Sequence, residues 1–131
     1  MSTIPEANSG IGIQGVGQIH VAVRDVERAT GFYRDVLGLR FLFQFPGMAF
    51  FDCGGVRLYL AQAEKPEHDQ TSTLYYRVSD IREAARELES RGVTFVEAPR
   101  LVHQDERHEL WLAFFHDTEG NTVALMSEVA K

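Results

Sequence analysis

The chain repeats itself, and this constrains its fold more than any other feature. Val23-Arg24-Asp25 returns 55 residues later as Val78-Ser79-Asp80, and Gly38-Leu39-Arg40-Phe41 returns 54 residues later as Gly92-Val93-Thr94-Phe95. Gly55 and Leu58-Tyr59-Leu60 return with an offset of 65, as Gly120 and Val123-Ala124-Leu125. A repeat of this size is one supersecondary unit that cannot bury its apolar face alone, so neighbouring copies must share a core. The 131 residues suffice for one such domain.

The content of each copy follows from periodicity. Gln18 to Arg24 alternates, with Ile19, Val21 and Val23 apolar and Gln18, His20, Ala22 and Arg24 polar or small, which predicts a half-buried strand. Asp25 supplies an N-cap, and Val26, Ala29, Phe32, Tyr33, Val36 and Leu37 follow helical spacing up to a C-capping Gly38. Strands are predicted over 39–45, 48–52 and 56–61, the last two joined through Cys53-Gly54-Gly55. The second copy reads as a strand over 73–78, a helix opened by the capping-box pair Asp80 and Glu83, and strands over 93–96, 110–116 and 122–127. The ten-residue surplus of the second copy is assigned to a long loop between Arg100 and Glu109. Alternation along 110–116 sets Trp111, Ala113 and Phe115 against Leu110, Leu112 and Phe114, which predicts a strand buried on both sides. Residues 1–15 hold several Gly, Ser and Pro without periodicity and read as a flexible N-terminal arm. The ordered domain is placed at 16–128, with a first unit at 16–62 and a second at 72–128.

Composition removes several classes of function. A formal net charge of -6 without any Lys/Arg cluster argues against a nucleic-acid partner. The longest apolar run, Leu110 to Phe115, falls far short of the ~20 residues a membrane-spanning helix needs. No secretory signal is visible, and Cys53 is alone, so a cytoplasmic location is the default expectation.

The stretches QIHVAVRDVERATGFYRDVLGLRF and FFHDTEGNTVALM resemble the opening strand-helix and the closing hairpin of the glyoxalase / bleomycin-resistance / dioxygenase (vicinal oxygen chelate) superfamily. The helix end at Phe32, Tyr33, Leu37 and Gly38 carries the first likeness. The Asp117 to Asn121 turn carries the second, with Thr118 where the family usually has Pro. The resemblance implies an α+β fold in which two tandem βαβββ units form curved mixed sheets around a small-molecule cavity. By alternation, the concave faces would present Gln18, His20, Ala22, Arg24, Arg57, Tyr59, Ala61, Thr73, Tyr75, Arg77, Thr122, Ala124 and Met126.

Family members that do chemistry hold a divalent metal through His or Gln on the first strand and Glu or His on the last strand of each unit. The likeness carries these positions onto Gln18, Tyr59, Thr73 and Ala124. Gln18 offers an amide oxygen, Tyr59 would bind only as a phenolate, Thr73 is a weak neutral ligand and Ala124 has no donor, so no metal site and no cofactor are expected. His103, His108, Glu109 and His116 fall in or beside the long loop and the seventh strand, and a nonstandard site for Zn, Ni, Mn or Fe would draw on His20, Glu109 or His108, although these histidines show no ligand spacing.

Among the remaining residues, His20 beside Tyr59 and Tyr75 reads either as a general acid or base or as a neutral His held by a neighbour. Arg24, Arg57 and Arg77 read either as an anion site or as solvated strand ends. Cys53 has no basic neighbour in sequence to activate it. The sequence thus predicts a binder of a small aromatic or amphipathic molecule, or a metal-independent enzyme. Its expected ligand contacts are Gln18, His20, Arg57, Tyr59, Thr73, Tyr75, Arg77, Ala124 and Met126. The alternative is a metal-dependent lyase, isomerase or dioxygenase of glyoxalase type with an altered site. The family likeness also implies a homodimer.

Overall fold

Alternation and capping produce the expected elements in a computed structural model, which describes residues 11–12, 14–63 and 72–131. Most of the proposed N-terminal arm lies outside the described residues. The elements are β1 (Gln18–Val23), α1 (Val26–Gly31), β2 (Arg40–Phe45), β3 (Met48–Cys53), β4 (Val56–Gln62), β5 (Leu74–Arg77), α2 (Ile81–Ser90), β6 (Phe95–Gln104), β7 (His108–His116) and β8 (Thr122–Ala130). They form two four-stranded sheets with strand orders β1-β4-β3-β2 and β5-β8-β7-β6. In each sheet the first strand lies parallel to the last, and the other pairings are antiparallel. None of the described helices is long and apolar enough to cross a membrane.

Both helices start on the predicted Asp. The Asp25 carboxylate accepts from the Arg28 N–H and the Asp80 carboxylate from the Glu83 N–H, each at 3.0 Å. The reciprocal half of the capping box does not form, because the Glu83 side chain pairs with Arg86 instead. The first helix departs from the simple 3.6-residue reading. Beyond α1 it widens into a π-helical turn over Phe32–Val36, where the Leu37 N–H donates to Phe32 O at 3.0 Å. Gly38, at φ +74°, then turns the chain out of the helix.

Two other expectations are corrected. The loop assigned to Arg100–Glu109 is mostly strand, for β6 runs to Gln104 and β7 starts at His108. Asp105 closes this hairpin by accepting from the N–H groups of Arg107 and His108, both at 2.8 Å. The strand over 110–116 is not covered on both sides. Ala113 and Phe115 are fully buried, but Leu110, Leu112 and Phe114 are only half-buried on the other face.

Each helix covers one face of its own sheet. Val21, Val23, Ala29, Phe51, Leu58 and Leu60 make the first core, and Ile81, Leu88, Ala113, Phe115, Val123 and Leu125 the second. Phe32, from the π turn, packs against both. The units are also tied by polar groups. The Tyr33 hydroxyl, on a side chain 2% exposed, donates to Asp117 Oδ2 at 2.8 Å. Asp117 Oδ1 accepts from the N–H groups of Glu119 and Asn121 at 2.8 and 2.9 Å, which shapes the loop after β7. That loop presses Glu119 onto the start of α1. There its carboxylate accepts from the Arg24 and Asp25 N–H groups at 2.7 and 3.2 Å and from the Arg28 guanidinium at 2.9 Å. A reciprocal tie comes from the end of α2, where Arg91 donates to Val36 O at 2.7 Å.

Burial opposes ionisation of Glu119, but the Arg24 N–H, the Arg28 guanidinium, the Asp25 N–H and the Arg24 guanidinium together outweigh it and hold the carboxyl below its ordinary range. A carboxyl depressed in the folded state contributes stability above its unfolded pKa of ~4.3, and that contribution is lost as pH falls through the folded value. Glu119→Gln should therefore flatten the acid limb of a stability–pH curve below about pH 5. Glu119→Ala should cost about 1–2 kcal/mol at neutral pH, because two N–H groups lose a charged acceptor. Urea titrations across pH check both, and a curve of unchanged shape for Glu119→Gln would contradict the assignment.

Candidate functional site

The face of the first sheet opposite its helix is built in three parallel rows, each taking one residue from every strand. The middle row is aromatic throughout. His20 lies opposite Tyr59, Tyr59 opposite Phe50, and Phe50 opposite Phe43. Their rings stack in sequence, with centroids 4.9 Å apart for His20–Tyr59, 5.2 Å for Tyr59–Phe50 and 4.8 Å for Phe50–Phe43. Interplanar angles of 21°, 17° and 29° make these face-on contacts. On one side the next row is Gln18, Arg57, Asp52 and Arg40; on the other it is Ala22, Ala61, Met48 and Phe45. Phe45 closes the aromatic group edge-on against Phe43 at 5.5 Å and Phe50 at 6.2 Å. The face is therefore an aromatic strip with a charged border and an apolar border.

The charged border has a cavity of about 250 Å³ lined by Gly17, Arg40, Leu42, Asp52, Gly55 and Arg57. Asp52 accepts from the Gly55 N–H at 3.3 Å, and no ion pair of Arg40 or Arg57 occurs among the described residues. Arg24 does not join them. It was expected on this face, but its side chain turns to Glu119, Nε to Oε1 at 3.3 Å, because that buried carboxylate needs cationic partners.

The second sheet repeats the geometry without the stack. Tyr75 lies opposite Ala124 and Arg77 opposite Met126, the positions held by His20–Tyr59 and Ala22–Ala61 in the first sheet. Tyr75 is 49% exposed and meets Phe114 edge-on at 6.0 Å. Ala124 breaks the row where Tyr59 would stand. Thr73 sits exposed just before β5. Of the expected ligand contacts, Gln18, His20, Arg57 and Tyr59 thus share one face, and Thr73, Tyr75, Arg77, Ala124 and Met126 share the other.

Sequence reasoning omitted Arg40, Phe43, Phe45, Met48, Phe50 and Asp52. Alternation along β3 would have exposed Met48, Phe50 and Asp52 as one face. A bulge between Phe41 and Phe43 breaks the alternation of β2 and hid Arg40 and Phe43.

The residues at the family's metal positions do not fit a divalent ion. Tyr59 is engaged on both ring faces, Ala124 has no donor, and Thr73 is a neutral hydroxyl. No group of three or more His, Cys, Asp or Glu side chains gathers among the described residues. The residues of the alternative site are committed elsewhere or dispersed: His20, on β1, stacks on Tyr59, Glu109 accepts from the Trp111 indole N–H at 3.2 Å, and His108 is exposed at the start of β7, as are His103 on β6 and His116 at the end of β7. Cys53 is half-buried, and burial, then Asp52, push its thiol up, away from the reactive thiolate.

This fold and repeat define a class. The family model described as Glyoxalase/Bleomycin resistance protein/Dioxygenase superfamily matches residues 15–125, and the chain belongs to that superfamily. Its fold is shared by a lactoylglutathione lyase from Agrobacterium tumefaciens at a TM-score of 0.70 and 19% identity, over 88% of this chain and 95% of that one. A glyoxalase/bleomycin resistance protein/dioxygenase from Nocardioides gives a TM-score of 0.72 at 20% identity, over 93% of this chain and 88% of that one. A virulence protein from Salmonella typhimurium gives 0.73 at 20% identity, over 91% of this chain and all of that one.

Packing within the strip separates two substitutions of the same chemistry. Phe50 is 8% exposed and touches three rings, whereas Phe43 is 41% exposed. Phe50→Ala should cost about 3–4 kcal/mol and Phe43→Ala under about 1 kcal/mol in chemical denaturation. Equal costs would show that Phe50 is not the centre of the strip.

Proposed function

We propose that the chain is a metal-independent small-molecule binder whose ligand is a planar aromatic or amphipathic molecule received on the first sheet's aromatic strip. The observation that carries this reading is the unbroken stack His20–Tyr59–Phe50–Phe43, which crosses all four strands of the sheet. Tyr59 and Phe50 are covered on both faces by their neighbours, so a further ring meets the edges of the row or the outer faces of its end members His20 and Phe43, edge-to-face or offset contacts worth about 0.5–1.5 kcal/mol per pair beyond the area buried. Arg40 and Arg57 at the border suit an acidic substituent on such a ligand, since a guanidinium pairs with a carboxylate through two parallel hydrogen bonds. His20, at the end of the stack and exposed, is the group placed to exchange a proton with a bound molecule, which leaves open a catalytic step with Tyr59 as its neighbour. Tyr75 stands on the other sheet, against Phe114.

A second copy of the chain is the protein partner proposed. Phe43 and Phe45 at the rim of the strip are 41% and 55% exposed, and a dimer would shelter part of that surface. Sedimentation should give about twice the 14.8 kDa chain mass, and a monomer at micromolar concentration would contradict it.

The binding test uses 2-naphthoate and protein treated with a chelator. Calorimetry should give binding to one site per chain with an affinity that the chelator does not change. Tyr59→Ala should weaken it about tenfold, equivalent to ~1.4 kcal/mol, with the fold retained by circular dichroism. Stoichiometric Zn, Ni, Mn or Fe in native protein, with binding lost on its removal, would overturn the reading in favour of a metal-dependent glyoxalase-type enzyme.

A further inference from the structure

The charged row beside the aromatic strip alternates in sign. Arg57 on β4 lies opposite Asp52 on β3, and Asp52 lies opposite Arg40 on β2. Gln18 on β1 lies opposite Arg57 at the other end of the row. Neighbouring strands are about 4.8 Å apart, so opposite charges succeed one another at roughly that interval across the sheet. Opposite charges at facing positions can close into cross-strand ion pairs. Here, among the described residues, Asp52 pairs with neither arginine, and its carboxylate accepts only from the Gly55 N–H, at 3.3 Å.

The three charged side chains line the same cavity of about 250 Å³, together with Gly17, Leu42 and Gly55. The two glycines put no side chain into it, and a Cβ on either would meet nothing within 4 Å. The walls therefore carry groups of both signs: guanidinium N–H groups that require acceptors and a carboxylate that requires donors. A simple anion answers only the first need. It also brings its charge beside Asp52 with nothing to offset the repulsion, and a doubly charged phosphate suffers more. A head with a carboxylate and an ammonium on one carbon answers both. With its carboxylate on the Arg57 guanidinium, its ammonium falls toward Asp52 on the next strand.

Arg57 and Asp52 each stand two residues from a ring of the strip, Tyr59 and Phe50 respectively. Two residues of strand advance about 7 Å. An acid group bonded directly to a single ring is too close to that ring to span this step, whereas a head two carbons away from a bicyclic ring spans it. We infer, on the reading that the strip receives the ligand's ring, that the ligand is a zwitterionic aromatic α-amino acid, with its carboxylate on Arg57, its ammonium on Asp52 and its ring against the His20–Tyr59–Phe50–Phe43 row. Arg40, beyond Asp52, keeps the row cationic overall, which suits a head whose carboxylate is its outermost group. Charges arranged in this order select against ligands that lack either half, because the unmatched wall group is left without a partner.

Calorimetry of the whole, chelator-treated protein with L-tryptophan tests this, with indole-3-propanoate and tryptamine as analogues that lack the ammonium and the carboxylate. Tryptophan should bind at one site per chain, and each analogue about tenfold more weakly. Asp52→Asn keeps an acceptor for the Gly55 N–H but loses the charge. It should lower the affinity for tryptophan about tenfold without weakening indole-3-propanoate, so that the two become equal. Arg57→Gln should weaken tryptophan and indole-3-propanoate but not tryptamine. No binding of tryptophan, indole-3-propanoate bound as tightly as tryptophan by the wild type, or a preference for tryptophan that persists in Asp52→Asn would each overturn the proposal. Binding of 2-naphthoate, which needs only the rings and an arginine, separates this failure from that of the reading beneath it. If 2-naphthoate binds and tryptophan does not, the amino-acid head alone is wrong; if neither binds, the strip is not the site.

Discussion

The structure depends on the contact between the loop after β7 and the first helix. Asp117 accepts from the buried Tyr33 hydroxyl, and Glu119 accepts from the N–H groups of Arg24 and Asp25, just ahead of α1, together with two guanidinium groups. A carboxylate at a helix start complements the helix dipole. Here that carboxylate comes from the other unit, so the bonds that hold the chain entering the first helix also fix how the two units sit together. Phe32 completes the joint by packing into both cores. Each unit leaves the face opposite its helix free to present a surface, and the chemistry of that surface then varies independently of the joint.

The local parts of this arrangement were legible in the sequence. The two Asp caps, Gly38 and the period-two strands are decided by neighbouring residues, and the repeat offset aligned them without any structure. What stayed hidden depends on distant or irregular partners. Tyr33 and Asp117 are 84 positions apart, and nothing local marks them as partners. The extension of β6 carries Glu97, Pro99, Arg100 and His103, and three register irregularities erase its alternation. Pro99 is tolerated because β6 is an edge strand. The π turn replaced an ordinary helix end because Phe32 and Leu37 serve both cores, a demand set by tertiary packing.

At the site, alternation placed Gln18, His20, Arg57 and Tyr59 on one face, and the structure puts them on one face. It also misassigned Arg24, because the pull of a buried carboxylate 95 positions away overrides strand parity. The aromatic strip itself was half seen: His20 and Tyr59 were singled out, while Phe50 and Phe43 were not. The stack arises because cross-strand neighbours at one register row all carry rings, a coincidence visible only once the strand order is known. The second sheet shows how easily it is lost, since Ala124 in place of Tyr59 removes the centre of the row. The same repeat has thus diverged into one sheet with an aromatic floor and one without.

The central claim is that this floor, made from protein rings alone, receives the ligand. Proton and carbon NMR of metal-stripped protein titrated with 2-naphthoate tests it most directly, because ring currents report stacking at identified side chains. The account predicts saturable upfield shifts at the His20, Tyr59 and Phe43 rings, with Tyr75 and Phe114 little changed. Shifts confined to the second sheet, or shifts at Gln18 and Tyr59 that appear only when a divalent metal is added, would contradict it.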